Sequence, residues 1–273
     1  MFTISGVLIA CVALWAAYRG GYWCYQGWLM AHHPGYMVPD KSALTKTVIK
    51  GVAWLGTTLG VGRVKVVGAH NAHFKGRLLI LPNHSHMLDF AVAERALPIS
   101  YKQVGTLSEV AKGLRAPFGA WGGFIAIDTS DGKANSKAVA ERTVNAYARA
   151  LTFRSRGRLL IFPQGVLMFS GKIPADSTVR GSMRTGAVRG AQLARQVIDA
   201  LKSADTAQLE VVRQVHGQQA DDTIDYYRKN PAALDEPLAI LPLFIDYHKR
   251  YADSDKVNIF SRMFGGATVV VGE

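Results

Sequence analysis

Short apolar runs alternate with helical stretches along most of this chain, and no other sequence property restricts the fold as much. Arg63-Val-Lys-Val-Val reads as a strand, and Arg77-Leu-Leu-Ile-Leu as a second one, apolar enough to be buried on both faces. Phe124–Ile127, Arg158–Phe162, Leu238–Phe244 and Ala267–Val271 repeat the pattern, with helical stretches at about 134–151 and 184–201 between them. Such alternation argues an α/β domain on a mixed, largely parallel sheet flanked by helices. Residues at about 203–236 form a polar insert carrying Asp205, Glu210, Asp221, Asp222, Asp225, Asp235 and Glu236. One or two surface helices are expected there, outside the core. No internal repeat and no low-complexity tract interrupts the pattern.

The N-terminus has a different character. Phe2 to Tyr18 contains no charged residue, and after Arg19 the segment continues through Tyr22, Trp23, Tyr25 and Trp28. No basic residue precedes the run, which argues against a signal peptide. As a helix the run extends roughly 25 Å against a hydrocarbon core of about 30 Å. The aromatic cluster has the composition of a membrane-interface belt. Residues 1 to about 35 are therefore expected to form an apolar helical membrane anchor, as a short span or a re-entrant hairpin, ended by His-His-Pro-Gly at 32–35. A second helical pattern from Ser42 places Leu44, Val48, Val52 and Leu55 on one stripe, with Lys46 and Lys50 between them. Two placements suit such a helix, against an anionic bilayer or against the domain.

Thirty-two basic residues against 20 acidic ones leave a net charge of +12. That balance favours an anionic partner: nucleic acid, an anionic membrane or a phosphorylated substrate. The basic residues are dispersed and spell no nucleic-acid-binding module, so a membrane surface accounts for the charge better and no nucleic-acid partner is expected. Cys11 and Cys24 both lie in the apolar segment and form no Cys-x-x-Cys pair, which fits a reducing compartment. The expected location is at a membrane, with the α/β domain on the cytoplasmic side.

The chemistry concentrates in Leu81-Pro-Asn-His-Ser-His-Met-Leu-Asp-Phe90. His84 and Asp89 are five residues apart, a step that turns about 140° on a helix and reaches the opposite face on a strand. They meet only where the chain bends, as at a strand-to-helix junction, where α/β active sites tend to lie. A neutral imidazole can take a hydroxyl proton, and a carboxylate can fix its tautomer and stabilise the imidazolium.

Asn83, His84 and Asp89 resemble the Asn-His-x4-Asp signature of the lysophosphatidate and glycerol-phosphate acyltransferase family. Further stretches are similar to its other blocks, in order: Gly123–Asp128, Leu160-Ile-Phe-Pro-Gln-Gly165, Met183–Ala187, Leu241-Pro-Leu243 and the closing Val271-Gly-Glu273. The resemblance covers about residues 60–273 and implies a glycerolipid-acyltransferase-like fold. Residues 1–62 would be anchor and amphipathic helices, and 63–273 the acyltransferase domain. It implies an acyl-CoA or acyl-carrier-protein co-substrate, a lipid acceptor with a hydroxyl, and no cofactor or metal. In that scheme His84 is the general base and Asp89 orients it. Asn83 and Gly165 serve the oxyanion or the local structure, and Lys172, Arg180 and Arg184, with Arg189, hold an acceptor or donor phosphate. The chain ends abruptly after its last strand, so a few further residues are expected.

The departures from that pattern bear on the acceptor. Thr129 stands where the family has Arg, Gln164 where it has Glu, and Val166-Leu167 where it has Thr-Arg. Losing arginines that fork onto phosphate is not conservative. Either other cations replace them, or the acceptor is a different lysolipid. Two further readings remain open: an inactive membrane scaffold, and a metal-dependent hydrolase using His84, His86 and Asp89. Phe90 stands where the hydrolase pattern needs a ligand histidine.

Overall fold

The computed structural model describes residues 4–33, 36–39, 42–113, 115–127, 137–153, 157–165, 168, 175, 184–203, 205–249 and 264–272. Seven strands form one sheet: β1 (Val64–Val67), β2 (Arg77–Pro82), β3 (Lys102–Thr106), β4 (Phe124–Ile127), β5 (Arg158–Leu160), β6 (Leu238–Tyr247) and β7 (Ala267–Val271), in the order β1-β7-β6-β2-β5-β3-β4. Every pairing is parallel except β6 with β7. The mixed, largely parallel sheet expected from the apolar runs is therefore present. β3 is absent from the sequence reading, because Lys-Gln-Val-Gly-Thr has neither an apolar run nor a clean alternation.

The helices are α1 (Ile4–His32), α2 (Ala43–Gly60), α3 (Asp89–Ala96), α4 (Leu107–Val110), α5 (Arg115–Gly122), α6 (Lys137–Thr152), α7 (Gly186–Ser203), α8 (Leu209–His216) and α9 (Ala220–Lys229). β2 is buried on both faces, as its unbroken apolar sequence requires. Leu79 belongs to a core shared with α6, α7, α8 and α9, whereas Leu78 and Ile80 belong to a second core shared with α3, β6 and β7. A small third core holds Met30 of α1 and Ala120 of α5 together. Gly27 makes that contact possible, since a Cβ there would lie 2.5 Å from the main-chain carbon of Ala116.

Two expectations change. The N-terminal segment is one continuous helix of 29 residues, not a re-entrant hairpin. Among the described residues no helix is long and apolar enough to cross a membrane. The acid-rich insert does fold into two principal helices, α8 and α9, but these are not mere surface additions. Leu209, Val212, Val215, Ile224 and Tyr227 complete the larger core, and Glu210, Asp221, Asp222 and Asp225 face outward. Its acidic composition hid an apolar stripe of helical period.

That insert is tied to the base of β2 by buried polar contacts. Arg77, fully buried, donates to the carbonyls of Glu236 and Ala233, both at 2.7 Å, and to the Tyr227 hydroxyl at 3.1 Å. Tyr227 in turn donates to the Thr152 carbonyl at 3.0 Å. Beside it, the two ring nitrogens of His216 hydrogen-bond the hydroxyls of Thr152 and Thr223, at 2.8 and 3.1 Å.

Burial, reinforced by the nearby Arg149 guanidinium, pulls His216 from 6.5 down to about 3, so the fold accepts only its neutral ring. The unfolded chain takes up that proton near pH 6.5. The stability held by His216 is thus complete above pH 6.5 and is lost as the pH falls toward 3, by about 1.4 kcal/mol per unit. Thermal melts of the wild type should fall steadily from pH 7 to pH 5. A His216→Asn variant, less stable at pH 7, should show a shallower fall over the same range.

Candidate active site

β2 ends at Pro82, and α3 begins at Asp89, so residues 83–88 make the expected strand-to-helix bend. The bend brings His84 Nδ1 to 3.0 Å from Asp89 Oδ2. Asp89 is fully buried, and its Oδ2 also accepts from the main-chain N–H groups of Ser85 (2.6 Å) and His86 (2.8 Å). A buried carboxylate is tolerated only when hydrogen-bonded in this way. Because Nδ1 is committed to Asp89, Nε2 is the ring nitrogen left for another partner. The imidazole is 24% exposed and lines a cavity of about 500 Å³.

Tyr247, the last residue of β6, donates its hydroxyl to Asp89 Oδ1 at 2.7 Å. This contact was missed in the sequence. Tyr247 lies 158 residues from Asp89 and in none of the motif blocks, and only the parallel pairing of β2 with β6 brings it there. Asn83 pins the same two strands: its Nδ2 donates to the Ile245 carbonyl at 3.0 Å and its Oδ1 accepts from the Ile245 N–H at 2.7 Å. Both ends of the amide are engaged with β6, which favours the structural half of its expected role over the oxyanion half.

The turn after β5 holds His84 from the other side. Gln164 Oε1 accepts from the His84 N–H at 2.6 Å, the Met168 N–H donates to the His84 carbonyl at 2.8 Å, and the Phe162 ring stacks on the imidazole at 4.2 Å. Gly165 takes a positive φ of 65° here, a conformation in which any side chain would be strained. Its N–H, expected to serve the oxyanion or the local structure, donates to the Phe162 carbonyl at 3.1 Å and closes the turn.

The cavity opens at the carboxyl ends of β3, β4 and β5, against α6 and α7. Val104, Ile127, Val144, Ile161 and Ala187 give it an apolar wall; Glu109, Tyr147, Arg184 and Arg189 give it polar groups. Burial pushes the Tyr147 phenol up to about 12 against the pull of Arg184, so it stays a neutral hydroxyl. Arg184 thus lies with His84 and Gly165 in one cavity. Lys172 and Arg180, and the departures Thr129, Val166 and Leu167, lie outside the described residues.

His86 is turned away from metal chemistry. It is buried, its Nδ1 accepts from the Leu88 N–H at 3.2 Å, and its ring packs against Tyr247 at 5.5 Å. Among the described residues no three His, Cys, Asp or Glu side chains converge as metal ligands do.

Residues 63–201, which include His84, Asp89 and the Phe162–Gly165 turn, match the family model described as Acyltransferase. The chain belongs to the acyltransferase family. Among solved structures it is similar to the 1-acyl-sn-glycerophosphate (LPA) acyltransferase PlsC from Thermotoga maritima, at 14% identity and a TM-score of 0.43, over 100% of this chain and 87% of that one. The comparison with curated proteins found no match.

Removing only the Tyr247 hydroxyl leaves the buried Asp89 Oδ1 without that donor. A Tyr247→Phe variant should therefore unfold at lower urea concentration, with a loss of about 1–3 kcal/mol. It should also lose acyl-transfer rate, read with labelled acyl thioester. Unchanged stability and rate would remove Tyr247 from the site.

Proposed function

We propose that this protein transfers an acyl chain from an acyl thioester, carried by coenzyme A or an acyl-carrier protein, to the hydroxyl of a lysophospholipid-type acceptor. The observation that carries this reading is the His84–Asp89 pair at 3.0 Å, whose imidazole lines a cavity that combines an apolar wall with arginines. His84 Nε2 takes the acceptor's hydroxyl proton as its oxygen attacks the thioester carbonyl. The new C–O bond forms, the C–S bond breaks, and the imidazolium returns the proton to the departing thiolate. Asp89 holds the ring and balances its transient charge. A thioester is already activated, so no metal and no enzyme-bound acyl group is needed. The apolar wall suits the acyl chain, and Arg184, with Arg189, supports binding of a phosphate on the acceptor or the donor.

Membrane association belongs to the same reading. Residues 13–18 of α1 are exposed all round, Leu14 and Tyr18 by 71% and 70%. An apolar helix left uncovered in this way supports placement against a lipid surface. On α2 the Leu44, Val48, Val52, Leu55 stripe also faces outward, joined by Trp54 and Leu59. The opposite face holds α2 to the domain, where Arg95 donates to the hydroxyls of Thr57 and Thr58, both at 3.0 Å. Both placements left open by the sequence are thus compatible, since one face packs and the other is free to enter an anionic lipid surface. Met87 and Phe90, beside the His84 loop, are exposed apolar residues as well. The cytoplasmic side remains the proposed location, where acyl-CoA and acyl-carrier protein are available.

Purified protein in lipid bilayers, given labelled acyl-CoA or acyl-carrier protein and a panel of lysolipids, tests the activity. Transfer to one class of lysolipid should fall about 10²- to 10⁴-fold in His84→Ala. Retention of most of the rate would overturn the role of His84, and no transfer to any acceptor would favour the scaffold. In sedimentation with anionic vesicles, a Val52→Asp/Leu55→Asp variant should bind more weakly than wild type while melting at the same temperature. Equal binding would remove α2 from the membrane contact.

A further inference from the structure

Gln164 is 1% exposed, and only one end of its amide is used. Oε1 accepts from the His84 N–H at 2.6 Å, whereas Nε2 is buried with no hydrogen-bond partner among the described residues. The opposite orientation of the amide would set two N–H donors against each other, so the acceptor is the end that holds His84. An orphaned buried donor is a standing cost. A carboxylate of the same length would make the same contact without that orphan. What the amide supplies here, and a carboxylate does not, is neutrality.

We propose that Gln164 is a positioning residue that grips His84 through its main chain while keeping a second negative charge away from the His84–Asp89 pair. The proposal rests on the catalytic reading of that pair. Among the described residues, the titratable or charged groups around His84 are Asp89 on α3, Tyr247 on β6, His86 in the same loop, and Glu109, Tyr147, Arg184 and Arg189 around the cavity. Asp89 alone of these contacts the imidazole through a carboxylate. A glutamate at 164 would add a buried anion bonded to the same residue. An anion so close favours the imidazolium and raises the pH at which the base becomes available.

The test is an NMR titration of the His84 ring in the full chain, assigned by loss of its signal in His84→Ala. It compares wild type, Gln164→Glu and Gln164→Leu. Gln164→Glu should raise the His84 midpoint by about one unit or more and carry the acid limb of kcat/KM with it. Gln164→Leu, which keeps neutrality but loses the acceptor, should leave the midpoint near wild type and lower kcat at least about tenfold, with KM little changed. An unmoved midpoint in Gln164→Glu, or an undiminished kcat in Gln164→Leu, would overturn the proposal. A role in folding alone would lower the melting temperature of both variants without either signature. The ring titration does not depend on turnover. A shifted midpoint with no transfer by wild type would sink the proposed function, whereas an unmoved midpoint with His84-dependent transfer would sink only the role of Gln164.

Discussion

Four hydrogen-bond donors converge on the buried carboxylate of Asp89, and the arrangement of the site follows from that convergence. Three come from the bend between β2 and α3, and the fourth is Tyr247 at the far end of β6. A charge placed at 0% exposure is tolerated only when its lone pairs are occupied, so the carboxylate fixes the backbone of residues 84–86 as well as the His84 ring. The same residue that orients the imidazole thus also determines the shape of the loop that carries it.

The loop is held again from the β5 side. Gln164 and Met168 take the main-chain N–H and carbonyl of His84, and Phe162 lies flat on its ring. Asn83 performs the corresponding task toward β6 through the main chain of Ile245. Three neighbouring strands therefore determine the position of one histidine, and catalytic geometry needs support of this kind from rigid elements. The cavity begins where this support ends, at the carboxyl ends of the parallel strands.

α1 is attached through Gly27 and the buried Met30, whereas α2 is attached by a small and polar face, Thr45, Ala53 and Thr57, and this leaves its larger apolar side chains outward. That arrangement is the reason that hydrophobic periodicity marked the right stripe on α2 while leaving open which side that stripe faces.

The sequence by itself determined the sheet-and-helix architecture, because apolar runs of strand length have few ways to be buried, and it determined the His84–Asp89 pair, because five residues and a bend are a local matter. It also showed Asn83 and the Phe162–Gly165 turn as parts of the site. It did not show β3, whose polar residues carry no period, nor the burial of α8 and α9, whose acids outweigh their apolar stripe in composition. Tyr247 as the fourth donor to Asp89, the engagement of the Gly165 N–H within its own turn, and the one-ended bond of Gln164 were decided only by tertiary structure. Each depends on which strands lie side by side, and long-range pairing of that kind leaves no mark in the local spacing of residues.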